Sequence, residues 1–217
     1  RQEVAAADID VRLSTTATPE LLRSLNVDDV IVATGAIRGM PEIPGGELAH
    51  VFSGDDMRRM MLGESSEELK RKTGLFTRLA TKVGAATGAT ANLALVRKAT
   101  HAWMPLGDNI AIIGGELVGI ELAEFLAERG RTVNVIEEAP RLGKGLTLVR
   151  RMRILTELAE HGVGLHGGAS AVTIGPKEVT FTDMQGNVPT VPADHVIVAR
   201  GAAGDLKLAD TLSAAGF

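Results

Sequence analysis

The chain has 217 residues, 45% of them hydrophobic and 3% aromatic, with a formal charge of −4 and no cysteine. That length holds one large domain or two small ones with a buried core, and abundant Gly and Ala with few aromatics favour an α/β layer fold over an all-β sandwich. The charge excludes a basic field for nucleic acid, and the lack of Cys excludes disulfides, thiolate metal sites and thiol redox chemistry within these residues.

No apolar stretch is long enough to span a bilayer and no signal-peptide pattern opens the chain, so a cytoplasmic setting is expected. The chain begins at Arg1 without an initiator Met and ends at Ala214-Ala215-Gly216-Phe217, partway through an amphipathic pattern. Both ends are expected to be cuts through a longer protein.

In chain order, Ile9–Leu13 alternates and predicts a strand. Thr18-Pro19-Glu20 predicts a helix start, with Thr as cap and Pro at the first helical position. Asp29-Val30-Ile31-Val32-Ala33 predicts a buried strand ended by Thr34-Gly35. Pro41, Pro44, Gly45 and Gly46 mark a loop or linker. Helices are expected over Asp55–Leu62, Glu67–Val83 and Ala91–Trp103, interrupted by glycines, so that 55–106 reads as a helical insertion. In it Phe76, Leu79, Ala80 and Val83 share one helical face, and Arg71, Arg78 and Lys82 another. Such a basic amphipathic helix suits either packing on its own protein or a membrane surface or acidic partner.

From Asn109 the pattern is regular. Ile110–Ile113 predicts a strand, Glu116–Arg129 a helix, Thr132–Ile136 a strand and Thr147–His161 a helix ending at Gly162. Extended runs follow at Ala171–Ile174, Glu178–Phe181 and His195–Ala199, with a hairpin turn at Met184-Gln185-Gly186-Asn187. The order is β-α-β-α, an antiparallel excursion and a last buried strand. Val30–Ala36 is echoed by Val196–Ala202, a strand-then-glycine device used twice.

The candidate cofactor site is Gly114-Gly115-Glu116-Leu117-Val118-Gly119, which follows a predicted strand and opens a helix. Gly114 permits the tight turn, free N–H groups and the helix dipole suit a pyrophosphate, and Gly119 permits close helix packing. Glu116 occupies the place of the second glycine, where its side chain crowds the phosphates and its charge repels them. It equally suits a helix N-terminus for structural reasons. Glu137 stands 23 positions after Gly114, close to the spacing of about 20 for the acid that accepts both ribose hydroxyls of NAD and repels the 2′-phosphate of NADP. It also fits a strand end at the surface beside Glu138. Arg141 could meet a 2′-phosphate, so NAD(H) is favoured over NADP(H) without NADP(H) being excluded. In the helix, Val118, Leu122, Phe125 and Leu126 are expected as the buried stripe, and Glu121, Glu124 and Glu128 as an acidic one. His50, His101, His161, His166 and His195 show no metal-ligand spacing, and no triad is offered, so no residue is assigned acid–base catalysis or metal ligation.

Val32-Ala33-Thr34-Gly35, Pro41-Glu42-Ile43-Pro44-Gly45, the turn at Gly114 and Val196–Gly201 together resemble the two-dinucleotide-binding-domain flavoproteins. The fuller resemblance is to the C-terminal half of old-yellow-enzyme-like NADH:flavin oxidoreductases of the 2,4-dienoyl-CoA reductase type, over nearly the whole chain. It implies a partial FAD-type domain and crossover linker over 1–54, the insertion over 55–106, and a Rossmann-type three-layer NAD(P)-binding domain with a β-meander over 107–201. The start of the return to the FAD-type domain would occupy 202–217.

It further implies hydride passing from NAD(P)H to FAD, and an N-terminal barrel with FMN and a 4Fe-4S cluster that reduces an enone or dienoyl-CoA. By the same resemblance, barrel and FAD-domain segments outside this chain are its partners, and the chain alone does not turn over. Thr34 and Gly35 match a turn near the FAD site, and Gly201 matches a second such turn, with Arg200 in place of its Thr. Glu121 matches a Glu near the nicotinamide–flavin contact, or is one more member of the acidic stripe. A non-catalytic Rossmann module with binding abolished by Glu116, and another flavoprotein reductase such as ferredoxin reductase, stand as alternatives.

Overall fold

The computed structural model describes residues 4, 6–38, 40–57, 104, 106–200 and 202–217. The expected helices Glu67–Val83 and Ala91–Trp103, and most of Asp55–Leu62, lie outside the described residues, as does Gly201. Two compact units are present, one made of residues 1–37 and 203–217 and the other of residues 38–202.

In the first unit, α1 (Pro19–Ser24) starts as expected, with Thr18 Oγ1 accepting from Leu21 N–H at 3.3 Å and Pro at N1/N2. Arg23 donates from Nη2 to the Ala215 carbonyl at 2.8 Å, tying α1 to the end of α4 (Lys207–Ala214). Two expected strands are not formed. Ile9–Leu13 is irregular, with Leu13 82% exposed and Arg12 paired to Asp10 at 2.8 Å. Residues 29–33 are irregular too, and Ile31 is 92% exposed. An apolar run becomes a strand only when a neighbour completes its ladder and something covers its face. Neither segment has such a neighbour among the described residues.

The echo has a structural meaning. Its matched residues Ala36 and Ala202 open β1 (Ala36–Arg38) and β10 (Ala202–Gly204), and these strands pair in a two-stranded sheet.

The second unit is built on a five-stranded parallel sheet. Its strands are β2 (Val51–Ser53), β3 (Asn109–Ile113), β4 (Thr132–Glu137), β5 (Gly164–Gly167) and β9 (His195–Val198), in the order β2-β9-β3-β4-β5. A three-stranded antiparallel sheet, β6 (Ser170–Ile174), β7 (Glu178–Thr182) and β8 (Thr190–Pro192), forms the β-meander. The sequence reading lacked β2, β5 and β8. Residues 38–54, read there with 1–37, cluster instead with this unit, because β2 adds to the parallel sheet through β9.

Parallel strands covered on both faces need apolar residues at every position, which explains the continuous runs at Ile110–Ile113 and Val196–Val198. Ile110 and Ile112 pack with Ile120, Ala123 and Leu126 of α2 (Leu117–Ala127) and with Ile154 and Leu158 of α3 (Leu148–Glu160). Ala111 and Ile113 face the other way, against Val179, Phe181 and Ile174 of the meander. The result is the expected three-layer α/β Rossmann-type architecture: helices, parallel sheet, meander. The buried stripe of α2 differs from the expected one. Leu126 is buried and Leu122 and Phe125 are partly so, but Val118 is 58% exposed, because the contact face runs through Gly119, Ile120 and Ala123.

Candidate functional site

The site is the turn between β3 and α2. Gly114 has φ +112, a conformation that L side chains rarely adopt. A Cβ on it would sit 3.0 Å from the Ala199 carbonyl oxygen and 3.2 Å from Arg200 Cβ. Its N–H donates to the Ile136 carbonyl at 2.8 Å. Gly115 is as closely packed: a Cβ there would lie 2.9 Å from Glu137 Cβ and 3.0 Å from Leu142 Cδ2. At Gly119 a Cβ would collide with the Gly114 carbonyl, so this glycine lets the first turn of α2 close onto the loop.

Glu137 ends β4 and is 8% exposed. Gly115 N–H donates to its Oε2 at 2.5 Å and Ala139 N–H donates to its Oε1 at 2.8 Å. Two backbone donors hold the carboxylate in one orientation. Since an ionised carboxylate accepts about four hydrogen bonds, it retains capacity for two more.

Glu116 is the N-cap of α2, extended at φ −76 and ψ −168, and makes no side-chain cap. Its carboxylate points outward and meets Lys144 Nζ at 3.4 Å; both side chains are mostly exposed. The connection from β4 to α3 folds over the turn. Gly143 N–H donates to the Gly115 carbonyl at 2.6 Å, and the Lys144 carbonyl accepts from Leu117 N–H at 3.1 Å. Gly143 and Gly145 flank Lys144 with φ +75 and +91. Glu121 pairs with Arg150 of α3 at 2.6 Å, and Arg141 is exposed. Arg200, just beyond β9, pairs with Glu138, just beyond β4, at 3.0 Å. The sequence reading had not foreseen Lys144 or the pairing of Glu138 with Arg200. No local sequence signal marks them, since each cation lies far along the chain from its acid.

Thr34 and Gly35 belong to the first unit, where Thr34 Oγ1 donates to the Asp205 carbonyl at 2.9 Å and Asp205 N–H donates to the Gly35 carbonyl at 3.1 Å. His101 lies outside the described residues, and His195 and His166 have structural partners. His195 Nδ1 accepts from Gly107 N–H at 2.9 Å, and His166 Nε2 donates to Asn134 Oδ1 at 3.1 Å. Burial lowers the pKa of both. An open cavity of about 640 Å³ lies along Met40–Glu47, and no residue of the glycine turn lines it.

A family model described as pyridine nucleotide-disulphide oxidoreductase matches residues 2–216. The chain belongs to this family. The family is one of Rossmann-type FAD- and NAD(P)-binding flavoprotein oxidoreductases. The disulphide of the family's name has no counterpart in these residues, which contain no Cys.

Bilirubin reductase of Mediterraneibacter gnavus is 29% identical over 204 residues, covering 94% of this chain and 25% of that protein. NADH oxidase of Thermoanaerobacter brockii is 24% identical over 199 residues, covering 92% and 25%. The chain therefore spans about a quarter of the length of these relatives. Among solved structures, 2-naphthoyl-CoA reductase with 2-naphthoyl-CoA matches with TM-score 0.63 at 21% identity, covering 97% of this chain and 26% of that one. Histamine dehydrogenase from Rhizobium sp. 4-9 matches with TM-score 0.56 at 16% identity, covering 92% and 25%. These likenesses support the fold. Among the described residues no helix is long and apolar enough to cross a membrane.

Proposed function

We propose that this chain is the NAD(P)H-binding part of a flavin-dependent oxidoreductase and that the turn from Gly114 to Gly119, with Glu137, holds the dinucleotide. The observation that carries the reading is the buried Glu137 carboxylate, fixed beside the turn by the N–H groups of Gly115 and Ala139. A carboxylate so oriented can accept the two adenosine-ribose hydroxyls and disfavours a 2′-phosphate, so NAD(H) is preferred to NADP(H). Arg141, exposed at the rim, is the residue that would admit some NADP(H).

The residues fit the ribose end fully and the phosphate end with one adjustment. Leu117 N–H is engaged by the Lys144 carbonyl, while Glu116 leaves the first turn of α2 without a side-chain cap. The glycines flanking Lys144 give that loop the freedom to shift.

When bound, the nicotinamide and flavin supply the hydride chemistry themselves. This chain's residues bind and orient. Gly114 and Gly119 bring backbone and helix N-terminus close to the phosphates, Glu137 fixes the ribose, and Leu117 and Val118 line the helix start. Glu121, on the exposed face with Val118 and paired with Arg150, is the residue that by resemblance would serve the nicotinamide–flavin contact. Thr34, Gly35 and Gly201 serve the FAD side. Hydride transfer between the two cofactors requires no acid or base from this chain.

The further expectation is a larger cytoplasmic protein whose other parts complete the FAD domain. They also carry FMN and a 4Fe-4S cluster in a barrel reducing an enone or dienoyl-CoA. Coverage of a quarter of proteins named bilirubin reductase and NADH oxidase supports that placement. A second reading, a Rossmann scaffold that binds nothing, draws on the engaged Leu117 N–H and the charge of Glu116. Titrating the intact protein with NADH and NADPH while following its melting decides between them. A ligand at 100 times its dissociation constant should add roughly 2.7 kcal/mol of stability. NADH is expected to act at lower concentration than NADPH, and no shift with either at millimolar levels removes the proposal.

A further inference from the structure

We infer that Arg200 is the pyrophosphate anchor of the dinucleotide site, a guanidinium that exchanges Glu138 for the cofactor's phosphates. The inference rests on the dinucleotide reading above and adds to it a residue outside the glycine turn.

Position is the first argument. The sheet order places β9 and β4 on either side of β3, all parallel, and the order in which strands are added reverses there: β4 and β5 follow on one side of β3, and β9 on the other. In open α/β sheets the ligand lies in the crevice beyond the C-terminal ends of the strands at such a reversal. Arg200 stands just past the C-terminal end of β9 and Glu138 just past that of β4, and Arg200 Nη1 meets Glu138 Oε2 at 3.0 Å. Their bridge therefore spans the C-terminal end of β3, where Gly114 begins the turn. Arg200 Cβ lies 3.2 Å from where a Gly114 Cβ would be, so the base of its side chain abuts the turn itself.

Hydrogen-bonding capacity is the second. Arg200 Nε is closed off from solvent and has no acceptor among the described residues. A buried donor without an acceptor is costly, and a phosphate offers several acceptors to a planar fork of donors. Glu138 supplies one carboxylate oxygen to Nη1 and nothing to Nε.

Charge is the third. Glu116, Glu137 and Glu138 surround the turn, and a pyrophosphate adds more negative charge there. Lys144 pairs with Glu116 and Arg200 with Glu138, and of these two cations Arg200 is the one set at the C-terminal strand ends beside Gly114, where it can offset the ligand's charge. Glu138 is 76% exposed, and an ion pair this open adds little stability, so water replaces Arg200 around Glu138 at small cost.

The test measures NADH dissociation constants and melting temperatures for the intact protein and its Arg200→Gln, Arg200→Lys and Glu138→Gln variants. The inference predicts NADH binding weakened about tenfold or more in Arg200→Gln, the scale of a lost charged hydrogen bond, and partly recovered in Arg200→Lys. Glu138→Gln frees the guanidinium and removes a repelling charge, so it should tighten binding. A purely structural bridge would instead make Arg200→Gln and Glu138→Gln weaken binding and stability together, and that result overturns the inference. Unchanged affinity in Arg200→Gln overturns it as well. If Arg200→Gln does not fold, Glu138→Gln decides alone: tighter binding supports the anchor, and unchanged or weaker binding refutes it. Failure of the unsubstituted protein to bind either NADH or NADPH would be the failure of the underlying dinucleotide reading, and is seen separately.

Discussion

Gly115 and Glu137 are joined by a 2.5 Å hydrogen bond from the backbone N–H of the first to Oε2 of the second, across the end of the parallel sheet. The bond links the glycine turn to the acidic end of the next strand, so the two halves of the motif form one unit. Ala139 N–H holds the other oxygen at 2.8 Å. In a Glu137→Gln variant one of these N–H donors would face the amide's own N–H₂. Leaving a buried donor unmatched costs about 1–3 kcal/mol. The variant is expected to melt at lower temperature and to bind NADH more weakly, measured by thermal melting with and without the ligand.

Gly119 is the most constrained position of the turn. A Cβ there collides with the Gly114 carbonyl and also reaches Ile112 Cγ2 at 3.5 Å. Backbone cannot yield as a flexible side chain can, and forced overpacking costs about 1–3 kcal/mol. Gly119→Ala is therefore expected to lower the unfolding free energy by that order, read from denaturant unfolding, and to weaken NADH binding. Gly130→Ala serves as the comparison. Gly130 has φ +73 but nothing near its absent Cβ, so it loses stability through backbone strain alone and keeps its NADH affinity.

Glu116 sets the electrostatics of the turn. Its ion pair with Lys144 is exposed on both sides and adds little stability. Removing a carboxylate from a phosphate seat at a helix N-terminus should favour the ligand by about 0.7–1.4 kcal/mol, or roughly three- to tenfold in affinity. Glu116→Gly is expected to show that gain at low ionic strength, and a smaller one as salt screens the charge. Calorimetric titration with NADH at two salt concentrations measures both.

Burial lowers the pKa of His195, with His50 adding to the effect and Asp194 opposing it; burial alone lowers that of His166. Both rings bind protons less readily folded than unfolded, where the ordinary value is 6.5. The unfolded chain therefore takes up more protons below that pH, and stability falls as pH drops from 6.5 toward the folded values. Above 6.5 these two groups leave stability flat. His195→Asn, whose side-chain oxygen can still accept from Gly107 N–H, should reduce the slope of stability against pH on the acid side. Urea unfolding at several pH values reads it.

The second unit was legible because its signals are local and repeated. Ile110–Ile113 and Val196–Val198 are apolar at every position, and Gly162 stops α3 in a left-handed conformation at φ +74. The Asp183–Asn187 turn was readable because Asp183 Oδ1 accepts from the N–H groups of Gln185 and Asn187. β2 and β8 were not readable, since three residues carry no period and their pairing with β9 and β7 is a property of the assembled sheet. Residues 29–33 show the converse. Their composition suits a buried strand, but strand formation depends on a partner that sequence periodicity does not report.

The site was legible in part. Gly114, Gly119 and Glu137 were picked out because glycines and an acid at a fixed spacing are a local signal, and the structure brings all three to one turn. Lys144 and Arg200 were not assigned to the site, because their proximity to Glu116 and Glu138 depends on how loops fold over strand ends. Val118 was misplaced because a helix lying on a sheet through Gly119 and Ala123 turns its first large apolar residue outward.

The central claim, that a nicotinamide dinucleotide sits on the turn joined to Glu137, is tested most directly by amide hydrogen exchange of the intact protein with and without saturating NADH. The account predicts slowed exchange confined largely to residues 114–119 and 137–144, where the turn, the acidic strand end and the overlying loop meet. Unchanged exchange in both segments while NADH is demonstrably bound would contradict it.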